Sequence, residues 1–247
     1  MTDPIAEPQQ EKVNSFQRII GVLFSPSETF ASIARRPDFA VPLIIVAIVS
    51  CVTGWTIASR VDFVSMMREA MEANPQSAKM APEQMDRMVR MTAGFSKAVA
   101  YASPLVSIVA LIIVAGIIFL AFRMFGGVGN FKQAFSVTVY AWYPALIKSV
   151  IAVIVLINRK SISMFDLQSP VRSNLAFLVN PKTNPVAFTL LTSLDLFSIW
   201  SCILFIIGFA AFTRLSKARS AAIVISLWVV AILLKLIGPA ISALKAK

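Results

Sequence analysis

Residues 188–212 read FTLLTSLDLFSIWSCILFIIGFAAF, and the carboxylate of Asp195 is the single charged side chain in this run. A helix needs about 20 apolar residues, at about 1.5 Å each, to cross a hydrocarbon core of about 30 Å. The run is therefore typical of a membrane-spanning helix. A charged group inside such a helix costs about 3 kcal/mol or more, so Asp195 needs a partner or a function.

Composition places the whole chain in a membrane. Of its 247 residues, 57% are hydrophobic and 14% are charged, whereas soluble domains carry about 25% charged residues. The net charge of +11 comes from Lys and Arg scattered between apolar segments, without the interleaved stacking aromatics of a nucleic-acid surface. We therefore expect anionic lipid head groups to meet these cations, and no nucleic-acid partner.

Five windows are long and apolar enough to span a bilayer, at residues 40–59, 99–122, 134–157, 186–213 and 221–244. They predict an all-α integral membrane bundle of five transmembrane helices with interfacial amphipathic helices, whose membrane domain covers 40–244. Residues 1–15 are polar and acidic, so we expect no cleaved leader and all five spans in the mature protein. Cys51 and Cys202 lie in these windows, which predicts buried packing residues rather than a disulfide or metal pair.

Residues 1–39 form a separate N-terminal segment with two short amphipathic helices. An apolar row at helical spacing predicts the first helix, and SPSE predicts the start of the second, as a capping box with a proline at the first helical position. The two helices either lie in the interface plane or pack on the protein itself. The residues that define this segment are Phe16, Ser25, Pro26, Glu28, Phe30, Arg35 and Arg36.

The polar connection at 60–98 holds seven of the ten methionines. Its pattern predicts a hairpin of amphipathic helices resting on the membrane or on the bundle. Met85, Met88 and Met91 recur at every third residue, which is also compatible with soft thioether ligands for Cu(I). Methionine is more often an adaptable apolar filler, and no cysteine or histidine is near, so we expect no metal and no cofactor.

Pro104 in YASP and Pro144 in YAWYP lie inside the second and third predicted spans. Because proline has no backbone N–H, each predicts a kink that leaves a carbonyl group free of its helical donor. The kinks serve either helix packing or the coordination of an ion.

Three ionisable residues, Lys148, Asp195 and Lys235, fall within predicted spans. If the spans alternate in direction, all three lie nine residues, or about 14 Å, from the same face. In one hypothesis this Lys/Asp/Lys cluster binds an anion or a lipid head group, or relays protons, in a transporter, channel or lipid-moving protein. In the other, Asp195 neutralises one lysine and fixes the packing of the spans, while the second lysine snorkels or lines a small wet cavity.

Catalysis is not expected from this set of residues. The chain has no histidine, no pair of acids in one span and no nucleophile beside a base. We therefore predict no enzyme and no catalytic residue.

Three stretches together resemble one known family: FSPSETFASIARRPDFAVPLI (24–44), GGVGNFKQAFSVTVYAWYPALI (126–147) and LDLFSIWSCILFIIGFAAFTRLSKARSAAIVI (194–225). They are similar to the Yip family, the Ypt/Rab-interacting proteins and their prokaryotic relatives. The resemblance implies an integral five-span protein with a cytoplasmic N-terminus. Eukaryotic members resemble adaptors for small GTPases. This chain lacks their long N-terminal tail and is more similar to the prokaryotic members. We therefore do not extend GTPase binding from the eukaryotic members to this chain.

Counts of Lys and Arg on the two sides are nearly equal, but the two short internal loops contain no acid, which favours an internal N-terminus and an external C-terminus. With the resemblance, this predicts a multi-pass protein of the bacterial inner membrane. We expect it to organise the membrane or to act as a protein-interaction scaffold, with membrane lipids, other proteins or a second copy of the chain as partners.

Overall fold

The computed structural model describes residues 14–72, 77, 80–160, 162–181 and 183–245. Residues 1–13 of the N-terminal segment and parts of the predicted 60–98 connection lie outside the described residues. The helices are α1 (Ser15–Phe24), α2 (Pro26–Arg35), α3 (Ala40–Arg60), α4 (Phe63–Glu72), α5 (Pro82–Tyr101), α6 (Ser103–Met124), α7 (Phe131–Ala141), α8 (Tyr143–Ile157), α9 (Met164–Gln168), α10 (Pro185–Ser193), α11 (Leu196–Thr213) and α12 (Lys217–Lys245). A 3₁₀ helix at Ala176–Leu178 lies between α9 and α10. Among the described residues β pairing is limited to one isolated bridge, so the fold is all-α.

Five segments are long and apolar enough to cross a membrane: Ala40–Arg60, Ser103–Met124, Phe131–Ile157, Leu196–Thr213 and Lys217–Leu244. The prediction of an all-α bundle with five such helices is confirmed. The fourth segment differs from its predicted window, because 186–213 is divided into α10 and α11. The division lies at Asp195, whose backbone is extended and whose carboxylate accepts the N–H of Ser198 at 2.9 Å. A short polar side chain in this geometry starts a helix instead of continuing one.

Hydrogen bonds between loops identify the two ends of the bundle. At one end the Val128 N–H donates to the Thr213 carbonyl at 3.0 Å, and the Gln133 side chain donates to the Ala34 carbonyl at 2.8 Å. We call this end, with α1, α2 and the loops at 125–130 and 214–216, the N-terminal face. At the other end Arg60 donates to the carbonyls of Ile157 and Arg159, at 2.8 and 2.9 Å. Successive spans therefore run in alternate directions.

The helices α1 and α2 pack on the bundle. Val22, Phe30 and Ile33 are fully buried in a core cluster with side chains of α6, α7, α11 and α12. The N-terminal helices therefore pack on the protein, and their position in the interface plane stays a prediction. The outer side of α1 still exposes apolar side chains.

The capping box predicted at Ser25 and Glu28 is not formed. Ser25 does occupy the cap position of α2, but with φ of −136° and ψ of 59° its side chain makes no cap hydrogen bond. The capping box in this region lies instead at Asn14, whose extended backbone lets its side chain and that of Gln17 exchange hydrogen bonds with backbone N–H groups.

The 60–98 connection contains a helical hairpin, α4 and α5. Asp86 forms ion pairs with Arg68 across the hairpin and with Arg90 in its own helix, and hydrogen bonds from Arg90 and Arg68 lower the pKa of Asp86. Met88 lines a cavity of about 280 Å³ between the two helices, whereas the Met91 side chain is exposed. The three methionines considered as Cu(I) ligands therefore do not share one environment.

The two cysteines lie in different spans and different environments. Cys202 is half-buried in α11, whereas Cys51 is exposed on α3. The prediction of a buried packing residue is wrong for Cys51, because α3 turns this side away from the bundle.

Gly54 marks a close approach between α3 and the junction of α5 and α6. A Cβ atom there would lie 2.0 Å from the Ala100 carbonyl oxygen and 2.1 Å from Ser103 Oγ. Gly54→Ala therefore forces the helices apart, and we expect it to lower the free energy of unfolding by about 1–3 kcal/mol. The control is Gly116→Ala in α6, where a Cβ meets nothing within 4 Å and alanine favours the helix. Thermal unfolding in detergent micelles compares the two, and equal stability would contradict the prediction.

Candidate functional site

Asp195 is the centre of the first candidate site. It lies between α10 and α11 and is 0% exposed. Its Oδ1 accepts the Ser198 N–H at 2.9 Å, while Oδ2 accepts the Ser173 hydroxyl at 2.8 Å and forms an ion pair with Lys148 Nζ. One carboxylate thus joins the start of α11, a loop and the neighbouring helix α8.

The connection between α9 and α10 folds back against this helix break. The Leu196 N–H donates to the Ser173 carbonyl at 3.1 Å, and Asn174 forms the isolated antiparallel bridge with Asp195. The Asn174 side chain in turn accepts the Ala176 N–H at 3.0 Å. Backbone groups near the break therefore find protein partners, as an apolar environment requires.

The structure brings Lys148 and Asp195 together and leaves Lys235 apart. The Lys148 side chain is 24% exposed and pairs with the carboxylate. Lys235 is exposed on α12, and within the described part of the chain it takes part in no ion pair. The expectation of equal depth assumed that the helix of Asp195 starts at residue 186. This helix starts instead at Leu196.

Both prolines singled out in the sequence lie beside helix breaks. The helices α5 and α6 separate at Ala102, two residues before Pro104, and α7 and α8 separate at Trp142, two residues before Pro144. The second break lies six residues, or just under two turns, before Lys148. It therefore helps to set the direction in which α8 presents this lysine to Asp195.

A second polar site lies at the N-terminal face, and the sequence patterns did not indicate it. Arg18 of α1 has a side chain that is only 7% exposed, pairs with Asp38 and donates to the Ser32 hydroxyl at 3.0 Å. Asp38 also accepts the hydroxyls of Ser15 at 2.7 Å and Tyr140 at 3.1 Å. We call these five residues the Arg18 network. They tie α1, α2 and α7 to the start of the first span.

Two sequence signals could have identified this network. Arg18 is a lone cation on a helix whose neighbouring positions are mostly apolar, and Asp38 is a lone acid just before a span. The Arg18 guanidinium also donates to the Arg36 carbonyl at 2.9 Å, so it satisfies the end of α2 as well as the carboxylate.

The residues predicted to define an interfacial N-terminal segment divide between two environments. Phe30 is buried in the core, and Pro26 is half-buried. The exposed members are Phe16, Ser25, Glu28, Arg35 and Arg36.

Neither site has the donor set of a metal centre. Across the described ranges, no group of three or more Cys, Asp or Glu side chains lies together as a metal site requires. Both oxygens of Asp195 are already engaged, and its ion pair with Lys148 carries no net charge. This arrangement fixes three elements of the bundle relative to one another.

Comparison with known proteins gives one match. A family model, that of the Yip1 domain, matches residues 20–237. No curated protein and no solved structure matches the chain. The matched range extends from α1 into α12 and includes both polar sites, apart from the first two members of the Arg18 network.

Proposed function

This chain belongs to the Yip1 domain family, and we propose that it organises the membrane by holding α1 in one leaflet beside its five-helix bundle. The family is not a known enzyme family, and the proposed role needs no catalysis. It needs a bundle that anchors the helix and a helix surface that inserts among lipids.

The observation that carries the proposal is the apolar stripe of α1, formed by Phe16, Ile20 and Phe24. These side chains lie four residues apart, on one side of the helix, and Phe24 is 81% exposed. On the other side of α1, Val22 is fully buried and Arg18 is bound in the Arg18 network. A helix fixed on one side and apolar on the other inserts shallowly at the acyl boundary and adds area to one leaflet.

The charges near the N-terminal face support its assignment to the cytoplasmic side of a bacterial inner membrane. Arg123, Lys132, Arg214, Lys217 and Arg219 lie in or beside its two loops, and no acid accompanies them. Cytoplasmic loops carry an excess of Lys and Arg, and the inner leaflet is rich in anionic lipids. The inserted helix would therefore lie in the cytoplasmic leaflet.

Movement of an ion or lipid through a Lys148, Asp195 and Lys235 cluster has less support. Asp195 is occupied by its partners, and Lys235 lies apart from it. The pair that remains suits a structural role, in which one carboxylate neutralises one lysine.

The test is reconstitution of the purified protein into vesicles of phosphatidylcholine and phosphatidylglycerol. We expect the wild-type protein to shift vesicles towards smaller diameters and tubules in electron cryo-microscopy. The variant Phe16→Ser, Ile20→Ser, Phe24→Ser should lose this effect, because its α1 no longer inserts. Unchanged vesicle shape with the wild-type protein would overturn the proposal.

A matched control uses a second exposed apolar row with the same spacing. Met91, Phe95 and Val99 are exposed on α5, away from α1. The variant Met91→Ser, Phe95→Ser, Val99→Ser removes a similar apolar surface, and we expect it to remodel vesicles as the wild-type protein does. Equal loss with both triple variants would show that apolar surface in general, and not α1, is responsible.

A further inference from the structure

A groove runs between α6 and α12 near the N-terminal face. Its volume is about 370 Å³, within the range of roughly 300–1,000 Å³ that is usual for ligand sites. Ala121 of α6 and Ala222 and Ser226 of α12 line it, and their small side chains leave the space open. Phe125 and Leu227 complete apolar walls.

One cation, Arg219, lies in the lining of this groove. Arg219 is exposed in the first turns of α12, and among the described residues it forms no ion pair with an acid. The segments that contribute the groove lining carry no acid, because neither 101–165 nor 196–247 contains Asp or Glu. The lining of the groove therefore supplies no counterion to Arg219, and an anionic ligand can pair with it. The guanidinium fork matches a phosphate group in shape and charge.

We propose that this groove binds one phospholipid with an anionic head group, drawn from the leaflet at the N-terminal face. The phosphate pairs with Arg219, and an acyl chain lies along Ala222, Ser226 and Leu227. Basic pockets between transmembrane helices are a known mode of head-group binding. The groove lining contains no residue of α1. The lipid site and the proposed function can therefore be tested independently.

The experiment measures lipid binding to the delipidated full-length protein in detergent, by native mass spectrometry and by thermal stabilisation. Dioleoyl-phosphatidylglycerol, dioleoyl-phosphatidylcholine and inorganic phosphate are the three probes. We expect phosphatidylglycerol to bind most tightly and inorganic phosphate to give no stabilisation, because the apolar groove holds the acyl chain. If inorganic phosphate stabilises the protein as much as phosphatidylglycerol does, the groove binds small anions and not a lipid, and the proposal is overturned.

Variants separate the head-group contact from the groove. Arg219→Gln should weaken phosphatidylglycerol binding by roughly tenfold or more, through loss of a charge-assisted hydrogen bond, and weaken phosphatidylcholine binding less, because the choline cation already offsets the charge of that phosphate. Ala222→Phe and Ser226→Phe should each fill the groove and reduce binding of both lipids. Helix content and unfolding temperature without lipid verify that each variant is folded.

The matched control is Arg214→Gln, which removes an exposed cation of the same face outside the groove lining. We expect it to keep the preference for phosphatidylglycerol. Equal loss with Arg214→Gln and Arg219→Gln would show diffuse surface attraction and overturn the site, as would an unchanged preference in Arg219→Gln.

Discussion

Asp195→Ala should lower the free energy of unfolding by about 3–5 kcal/mol, since removal of one partner from a buried ion pair leaves the other charge uncompensated. Here the remaining charge is Lys148, whose side chain is only 24% exposed. The same substitution removes the cap of α11 and the acceptor of the Ser173 hydroxyl. Thermal unfolding in detergent micelles, followed by circular dichroism, measures the loss.

The double variant Lys148→Met, Asp195→Asn separates the charge from the cap. Asparagine is a good helix cap, and methionine keeps the volume of the lysine stem without its charge. We expect this variant to be more stable than Asp195→Ala, within about 1–2 kcal/mol of the wild-type protein. If the double variant were no more stable than Asp195→Ala, the uncompensated lysine would not be the cause of the loss.

Arg18→Ala should lower the free energy of unfolding by about 3 kcal/mol. This value is at the lower end of the range for a buried ion pair, because the Asp38 side chain is partly open to solvent. The loss includes the hydrogen bonds to the Ser32 hydroxyl and the Arg36 carbonyl. We expect the loss to be largest at α1 and α2, because the Arg18 network joins these helices to the start of the first span. Limited proteolysis between α1 and α3 should therefore accelerate more than global unfolding does.

Arg35→Ala is the control for this local effect. Arg35 lies at the end of α2, close in the chain to the Arg18 network, but its side chain is exposed. Surface substitutions of this kind usually change stability by less than about 0.5 kcal/mol. Faster proteolysis in Arg35→Ala as well as in Arg18→Ala would indicate that α1 and α2 respond to loss of any positive charge and not to loss of the Arg18 network.

The two variants also bear on the proposed function. If α1 must be held against the bundle to insert in a defined position, Arg18→Ala should weaken vesicle remodelling although the apolar stripe is intact. Asp195 lies far along the chain from α1. Any effect of Asp195→Ala on vesicle remodelling should therefore follow from lost stability alone. The double variant of the ion pair should therefore remodel vesicles as the wild-type protein does.

Much of the architecture could be predicted from local sequence. The number of spans follows from the length of apolar windows, because a bilayer has a fixed hydrophobic thickness that a helix must match. The breaks near Pro104 and Pro144 coincide with prolines, whose effect on a helix depends on the residue itself. The family is likewise visible in three quoted stretches and agrees with the Yip1 domain match.

The partners of the charged groups were decided by the tertiary structure. Lys148 and Asp195 are 47 residues apart, and Asp38 and Tyr140 are 102 residues apart. Periodicity states which side of a helix is apolar, but it does not state where side chains of distant helices converge. The sequence thus determined the number of spans, the membrane and the family. Only the packed bundle selected Lys148 over Lys235 and placed Arg18 beside Asp38, because ion pairing depends on distances of a few ångströms that no local pattern encodes.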